Sequence, residues 1–338
     1  MRTLTCLQPH ELTYLEAVDP VLKKGNTILK IKRIGICGTD LHAYEGTQPF
    51  FTYPRILGHE LAGEIMETSD AEGFEQREKI TIIPYFNCGY CIACRNGKPN
   101  CCVTLNVCGV HVDGGMSEYL SVPSYSLVHG QGLSLDELAL VEPLAIGAHG
   151  IGRAGVQPGE FALVIGAGPI GVATMAFAVI AGAQVIAMDV NKHRLSFCQK
   201  QLNIQYTINA MDTDVLQQLK AITNNDMPTV VIDCTGNEKA IKNAFQYMAH
   251  GARYVLIGLQ KDDISFNHPE FHKREATLMS SRNATRDDFN YVINSMRKGL
   301  VNPATFITHR VAFENLATTF ATFSDPASGV IKAIVEMD

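Results

Sequence analysis

The chain of 338 residues is long enough for two domains, each with its own hydrophobic core. Its hydrophobic fraction of 46%, charged fraction of 18% and net charge of −6 exclude no globular class but argue against a nucleic-acid partner, since no basic run is present. The most apolar stretch, 161–188, is broken by glycines and a proline, which argues against a membrane partner. Residues 1–14 lack a signal-peptide core, so the ten cysteines favour metal binding in a reducing compartment, and we expect a cytoplasmic protein.

The first third of the chain contains short extended segments separated by glycine, proline and polar turns. This pattern is typical of antiparallel β-structure. We predict strands over 27–34, 62–66, 79–83 and 116–122. Residues 1–150 are therefore expected to form a β-rich domain.

From about residue 159 the pattern changes to apolar strands that alternate with helices. Predicted strands cover 161–165, 184–188, 230–233 and 253–258, and predicted helices include 171–182 and 238–249. Such alternation predicts a doubly wound parallel sheet, so 151–283 is assigned to an α/β domain. The remaining segment, 284–338, contains a predicted helix over 287–298 and an extended run over 329–335, which we expect to return to the first domain.

Four cysteines in one loop follow the pattern C-x2-C-x2-C-x7-C, at Cys88, Cys91, Cys94 and Cys102. Four thiolates at this spacing are typical of a closed structural zinc site, which would brace a lobe of about 85–105. Cys101 competes with Cys102 as the fourth ligand. Free thiols or a redox C-x-x-C pair are the alternatives, and a nucleic-acid zinc module is disfavoured because the loop lacks basic and aromatic surroundings.

A second candidate metal site combines different ligand types. Cys37 and His59 lie in glycine-rich contexts with Asp40 and Glu60 beside them, and Glu142 precedes a proline in an apolar run. Burial of an unpaired carboxylate is costly, and ligation to a metal would offset that cost. Because a catalytic zinc has three protein ligands and an open position, we predict Cys37, His59 and Glu142 as ligands. Glu60 is expected behind them or as an exchangeable ligand; the alternative for Glu142 is a surface residue at a domain junction.

Two polar residues follow Cys37 closely. Thr39 and His42 offer a hydroxyl and an imidazole at a spacing that suits a proton path away from a metal-bound hydroxyl. Taken singly, Thr39 also fits a turn and His42 a solvated surface position. We predict that together they relay a proton during catalysis.

A glycine-rich sequence follows the predicted strand 161–165 in the pattern G-x-G-x-x-G, with Gly166, Gly168, Pro169, Ile170 and Gly171. In this context the glycines admit a dinucleotide pyrophosphate at a helix N-terminus. Asp189 ends the next predicted strand, and a carboxylate there favours the ribose diol of NAD over the 2′-phosphate of NADP. The basic residues at 192–194 keep NADP open as the less favoured cofactor. A Lewis-acid metal and a dinucleotide together predict hydride transfer to or from an alcohol.

The motifs run in the order G-x-C-G-T-D-x-H, G-H-E-x-x-G, four-cysteine loop, E-P and G-x-G-x-x-G. In this order, over essentially the whole chain, the sequence resembles the zinc-dependent medium-chain alcohol and polyol dehydrogenases, and Glu142 resembles their polyol branch. The resemblance implies a GroES-like β-barrel catalytic domain, a Rossmann domain and two zinc ions per subunit. It also implies that Arg194 lies near the adenosine end of the cofactor, and that Thr235 and Ile257 either line its nicotinamide side or occupy simple strand-end turns. Arg282 is a further candidate for the cofactor, and a homodimer or homotetramer is expected through a sheet edge near 253–258.

Longer stretches, at 46–58, 109–119, 269–275 and 281–285, resemble bacterial L-galactonate dehydrogenases, which oxidise a sugar acid to a keto acid. This resemblance implies a hexonate substrate and a cation that binds its carboxylate. Arg55 and Lys273 are the first candidates, with Arg274, Arg282 and His272 as others, and a solvated surface charge is the alternative for each. The aromatic residues Tyr44, Phe50 and Phe51 are candidates for the pocket wall or for the core. Rival expectations are a dehydrogenase of a neutral polyol, a sugar phosphate or L-threonine, and a non-catalytic protein that binds NAD and zinc.

Overall fold

The structure, a computed structural model, describes residues 1–49 and 51–337, except for the side chain of Pro326. Phe50, a candidate for the pocket wall, lies outside the described residues. The chain divides into a first unit, Met1–Glu142 with Thr285–Asp338, and a second unit, Pro143–Ala284. The N-terminal segment of the first unit ends at Glu142, before the expected residue 150. This boundary falls within the first turn of a single helix, Val141–Ala154. In the described part of the chain, no helix is long and apolar enough to cross a membrane.

The N-terminal segment of the first unit consists mainly of short strands. They are Arg2–Gln8 (β1), Glu11–Glu16 (β2), Asn26–Gly35 (β3), Arg55–Ile56 (β4), Glu60–Thr68 (β5), Lys79–Ile82 (β6), Tyr85–Phe86 (β7), Asn106–Val107 (β8), Tyr119–Pro123 (β9) and Leu127–His129 (β10). The helices are Gly38–Tyr44 (α1), Ile92–Arg95 (α2), Leu135–Ala139 (α3) and Val141–Ala154 (α4). The antiparallel hairpin of β1 and β2 also pairs with β4, and β7 pairs with β8 at either end of the four-cysteine loop.

The second unit contains a parallel sheet of six described strands. The strands are Phe161–Ile165 (β11), Gln184–Asp189 (β12), Tyr206–Asn209 (β13), Val230–Asp233 (β14), Arg253–Leu256 (β15) and Thr277–Ser280 (β16). The helices are Pro169–Ile180 (α5), Lys192–Leu202 (α6), Val215–Ile222 (α7), Glu238–Ala244 (α8) and His268–Lys273 (α9). The order β13-β12-β11-β14-β15-β16 confirms the doubly wound sheet, and it reverses between β11 and β14, where such sheets bind ligands.

Apolar side chains cover the central strands of this sheet on both faces. Leu163 and Val231 on one face and Val164 and Ile232 on the other are all fully buried, as expected where helices cover a parallel sheet. The expectation of a sheet edge near 253–258 is wrong, because β15 pairs with β14 on one side and β16 on the other. The edge strand is instead β16, four residues that carried no strand prediction.

The C-terminal segment adds Arg286–Arg297 (α10), Ile307–Ala312 (β17), Leu316–Thr319 (α11) and Lys332–Glu336 (β18) to the first unit. β18 pairs parallel with β17 and antiparallel with β3, so the tail returns to the first unit as predicted. Seven of the described strands form this sheet, in the order β10-β6-β5-β3-β18-β17 with β9 also on β3. Its buried core includes Leu29 and Ile65 from the first segment and Phe313 and Val335 from the last.

Candidate metal and nucleotide sites

The turn between β3 and α1 presents Cys37. Its backbone is extended, with φ −99° and ψ 155°, and its N–H donates to Asp40 Oδ2 at 2.9 Å. The other carboxylate oxygen of Asp40 accepts from the N–H of Gly58 at 3.1 Å. One buried carboxylate therefore ties the turn that carries Cys37 to the turn that carries His59.

A thiol, an imidazole and a carboxylate meet beside this link. Ligand atoms of Cys37, His59 and Glu60 all lie within 4.8 Å of one another, and His59 and Glu60 are buried. Nδ1 of His59 lies 3.6 Å from Asp40 Oδ1 and has no hydrogen-bond partner among the described residues. Burial alone lowers the pKa of His59, but the charges of Asp40 and Cys37 outweigh burial and raise that pKa well above its ordinary value. The cluster thus carries negative charge that a bound cation would compensate.

Glu142, near the start of α4, is buried and accepts a hydrogen bond from the phenol of Tyr85. Burial raises the pKa of its carboxyl to about 7. Within the ranges that the structure describes, no Lys or Arg forms an ion pair with Glu142, whereas Glu60 has one with Lys332. A divalent cation would favour the charged form, so sulfur, nitrogen and carboxylate oxygen together fit zinc.

The two carboxylates occupy different positions around Cys37 and His59. Glu60, expected behind the ligands or as an exchangeable ligand, completes the group of closely spaced ligand atoms, because β5 begins directly after His59. Glu142, expected as a ligand, lies outside that group, although its charge contributes to the raised pKa of His59. The structure therefore places both carboxylates close to the imidazole of His59. The carboxylate of Glu60 also lies close enough to the thiol of Cys37 to share a metal ion with it.

Both residues of the predicted proton path lie on α1. Thr39 is half-buried in the first turn, and His42 is exposed one turn later. Nδ1 of His42 lies 3.2 Å from Thr47 Oγ1 and 3.6 Å from the carboxylate of Glu45. His42 is thus placed to exchange protons with solvent.

The four-cysteine cluster lies between β7 and β8, around α2. Sulfur atoms of Cys88, Cys91, Cys94 and Cys102 lie within 4.8 Å of one another. Backbone N–H groups point at two of these sulfurs, from Cys88 to Cys102 at 3.3 Å and from Cys91 to Cys88 at 3.4 Å. Cys101 is exposed and outside the cluster, so the structure favours Cys102 as the fourth member. Four sulfurs at this spacing fit a closed zinc site.

The glycine-rich turn connects β11 to α5. Gly166 has φ +97°, which favours glycine, and a Cβ on Gly171 would lie 1.7 Å from Gly166 O. Gly168 caps α5, and Pro169 and Ile170 form its first turn. Asp189, at the end of β12, accepts from the N–H of Ala167 at 2.6 Å and of Asn191 at 2.7 Å. The turn is therefore closely packed, with N–H groups at the start of a helix available to an anion.

The other predicted cofactor residues of the second unit lie on α6 or just after a strand. Arg194 on α6 is half-buried, and its Nη1 would be 3.7 Å from a Cβ on Gly168. Thr235 follows β14, and its hydroxyl donates to Asp233 Oδ2 at 2.8 Å. Ile257 follows β15 and packs closely on Gly150. A Cβ added to Gly150 would lie 2.3 Å from Cδ1 of Ile257. Arg282 is exposed just after β16.

The candidate substrate contacts already have protein partners. Tyr44 packs edge-to-face on His10 and Phe320, with ring centroids 5.3 Å apart in each pair. Arg55 forms an ion pair with Asp113 at 3.2 Å, and Lys273 one with Glu270 at 2.7 Å. These contacts favour a structural role for Tyr44 and leave the cations of Arg55 and Lys273 each paired with a carboxylate.

The group of Cys37, His59 and Glu60 is called the mixed cluster below. Two further residues at this cluster were not among the sequence predictions. Lys332 on β18 donates to both carboxylate oxygens of Glu60 at 2.6 Å, and Tyr85 on β7 donates to Glu142. The available signal for Lys332 was a single lysine inside an otherwise apolar run, 330–335. Tyr85 had no signal beyond its position after a predicted strand.

Comparisons with known proteins agree with this geometry. Residues 23–131 match the family Alcohol dehydrogenase GroES-like domain, and residues 169–298 match the family Zinc-binding dehydrogenase. The L-galactonate-5-dehydrogenase of Escherichia coli (strain K12) is 42% identical over 95% of this chain and 94% of the relative. The 2-dehydro-3-deoxy-L-galactonate 5-dehydrogenase of Pseudoalteromonas atlantica is 29% identical over 92% of each chain. A crystal structure of the alcohol dehydrogenase rspB from E. coli CFT073, complexed with NADH, is 31% identical, with a TM-score of 0.92 over 100% of this chain and 99% of that one.

Proposed function

Because the chain belongs to the zinc-dependent alcohol dehydrogenase family, we propose that it oxidises a secondary alcohol of a sugar acid, an L-galactonate-like hexonate, to a keto acid with NAD as hydride acceptor. The observation that carries the activity is the buried cluster of Cys37, His59 and Glu60, with Glu142 beside it. The substrate class is supported by the two relatives that act on L-galactonate and on its dehydro-deoxy derivative.

The mixed cluster is proposed to hold the catalytic zinc through Cys37, His59 and Glu142, with Glu60 next to it. A zinc ion there would supply Lewis-acid polarisation of the substrate hydroxyl. Thr39 would accept the hydroxyl proton while it passes its own proton on, and His42, exposed on the same helix, would deliver a proton to solvent. The four-cysteine cluster is proposed to hold a structural zinc that braces the lobe around α2.

The glycine turn and the strand ends around it are proposed to bind NAD. When bound, the cofactor would accept the hydride. The N–H groups at the start of α5 would bind its pyrophosphate, and the carboxylate of Asp189 would accept from the ribose diol. The same negative charge would repel a 2′-phosphate, so NADP is the weaker cofactor. Arg194, Thr235, Ile257 and Arg282 are proposed as further contacts.

A neutral polyol is the second candidate substrate. It is favoured by the ion pairs that already engage Arg55 and Lys273, since a paired cation attracts a substrate carboxylate less strongly. Under the first candidate, Arg55 or Lys273 exchanges its carboxylate partner for the hexonate carboxylate. We further propose a cytoplasmic homodimer or homotetramer that assembles through the edge strand β16.

The test is NADH formation by the purified protein with L-galactonate, other hexonates, sorbitol, L-threonine and ethanol, repeated with NADP. Turnover with a hexonate that is lost on zinc chelation and weaker with NADP is the expected result. Arg55→Gln should raise KM for the hexonate by about tenfold and leave a neutral polyol unaffected, because only the acid loses a charge partner. Turnover of neutral polyols alone would replace the first candidate with the second, and no turnover with zinc bound would contradict both.

A further inference from the structure

A lysine ammonium is buried next to the mixed cluster. The side chain of Lys332 is 3% exposed, and its Nζ donates to both oxygens of Glu60 at 2.6 Å and to the carbonyl of Ile36 at 3.1 Å. An ammonium has three N–H donors, so these contacts use all of them. Both the position and the orientation of the ammonium are therefore fixed.

Glu60 is held from a second side by the backbone of β3. A Cβ on Gly35 would lie 2.0 Å from Glu60 Oε2, so the carboxylate occupies the space that a side chain would need. Glu60 is 0% exposed and cannot turn out to solvent. Within these limits, its carboxylate lies close to Cys37 and His59 and faces the ammonium.

The two buried carboxylates differ in how their charge is compensated. Glu60 has an ammonium as its partner, whereas Glu142 has the neutral phenol of Tyr85. A buried charge without an opposite charge is strongly destabilising, so Glu142 has more to gain from a metal ion than Glu60 has. If Lys332 were neutral, both carboxylates would compete for the same cation.

We propose that Lys332 is a positioning residue that engages both carboxylate oxygens of Glu60, so that Glu60 lies beside the metal without binding it and one coordination position stays open for the substrate hydroxyl. This inference rests on the proposed function, in which Cys37, His59 and Glu142 are the ligands. A catalytic zinc with three protein ligands keeps its fourth position for water or substrate, and a fourth protein ligand would close it. Lys332 acts through Glu60 and does not itself touch the substrate.

The experiment replaces zinc with Co(II) and follows the visible d–d absorption of the full-length protein. The difference spectrum against Cys37→Ser isolates the mixed site from the four-cysteine site. Titration with imidazole, an external ligand, then reports whether a coordination position is open. In Lys332→Met the apparent Kd for imidazole should rise by about tenfold or more, because Glu60 binds the metal in its place.

Three further variants separate this role from a purely structural one. Lys332→Arg keeps the charge and should bind imidazole like the wild type, and Lys332→Met combined with Glu60→Gln should recover to within about threefold, because no competing carboxylate remains. Lys332→Gln removes the charge but keeps hydrogen-bonding groups, and it tests the same point if Lys332→Met does not fold. It should weaken imidazole binding as Lys332→Met does.

Two outcomes would overturn the inference, and they differ. If the neutral variants bind Co(II) and imidazole as the wild type does and only their Tm falls, Lys332 is a structural residue and the proposed metal site stands. If no Co(II) spectrum depends on Cys37, the metal site itself is wrong, and the proposed function fails together with the role of Lys332.

Discussion

The two cysteine-containing clusters compensate their charge in different ways. The four-cysteine cluster takes all its members from one stretch, 88–102, and its sulfurs accept hydrogen bonds from backbone N–H groups of the same loop. The mixed cluster takes Cys37 from one turn and the consecutive residues His59 and Glu60 from the start of β5, and it relies on Lys332 from the C-terminal segment. A closed site can thus be built by a local loop, whereas a site with two buried carboxylates needs charges from distant parts of the unit.

The pKa values of candidate metal ligands differ between the two clusters in the same way. In the loop, hydrogen bonds from the backbone of Cys94 lower the pKa of the Cys91 thiol to about 6, so a thiolate forms readily before metal binds. Beside the mixed cluster, burial raises the pKa of Glu142 to about 7, so its charged form depends on a nearby cation. The backbone of the loop thus favours the thiolate of Cys91, whereas the carboxylates at the mixed cluster and a bound cation would stabilise each other.

The largest effect is expected at the mixed cluster. Cys37→Ser should lower kcat/KM for the best alcohol substrate by about a thousandfold or more, because the thiolate ligand of the Lewis acid is lost. Metal analysis should show one fewer zinc per chain, with an unchanged circular dichroism spectrum. Cys101→Ser, at an exposed cysteine outside both clusters, is the matched control. Full activity of Cys37→Ser would show that the mixed cluster does not hold a catalytic metal.

A large but different effect is expected in the four-cysteine loop. Cys102→Ser should lower the Tm by more than about 5 °C and expose the lobe of 85–105 to proteolysis, since loss of a structural metal is among the most destabilising changes. Cys101→Ser should shift the Tm by less than about 1 °C, because exposed substitutions are usually neutral. The reverse result for these adjacent residues would make Cys101 the fourth ligand.

The smallest effect concerns a carboxylate that is balanced by protein cations alone. Asp136 accepts from Arg33 at 2.9 Å and from Arg310 at 2.6 Å; burial acts to raise its pKa, but the two guanidinium groups lower it overall. A lowered pKa in the folded state stabilises the protein above the unfolded pKa of about 3.9, and this contribution is lost as pH falls through the folded pKa. Asp136→Asn should therefore cost about 1 kcal/mol in urea unfolding at pH 7.

That cost should shrink as the pH is lowered toward 3, while the exposed Glu72→Gln shows little effect at either pH. If Asp136→Asn lowered the free energy of unfolding equally at both pH values, packing and neutral hydrogen bonds, not ion pairs, would account for the contribution of Asp136. The contrast with Glu142, whose partner is the neutral phenol of Tyr85, would then not be one of charge compensation.

Features encoded within a short stretch could be predicted from the sequence. The strand Phe161–Ile165 was predicted with its observed bounds, because a continuous apolar run ahead of a glycine turn is a strong local signal. The predicted helix 238–249 ends at Ala244, since the chain turns there and Phe245 packs on Tyr254 and Phe271. The hairpin of β1 and β2 was missed, because its half-buried, mostly polar second strand has no clear alternation.

Features that depend on long-range contact could not be predicted. The sequence offered Cys37, His59, Glu60 and Glu142 as ligands, and the structure brings the first three together. It gave no means to assign Lys332 to Glu60, which is 272 positions away, or Tyr85 to Glu142, which is 57 away. The pairing of β18 with β3 brings Lys332 to Glu60, whereas Tyr85 reaches Glu142 from β7.

The pairing of β18 with β3 also sets the order in which this protein can be made. A ribosome releases Cys37, His59 and Glu60 long before the strand that carries Lys332, so the early chain holds a carboxylate without its counter-charge. Burial of that carboxylate is unfavourable until β18 is in place, and contacts of such long sequence separation form slowly. Completion of the sheet and charge balance of the metal site are therefore one late event, and a nascent chain cannot carry a finished site.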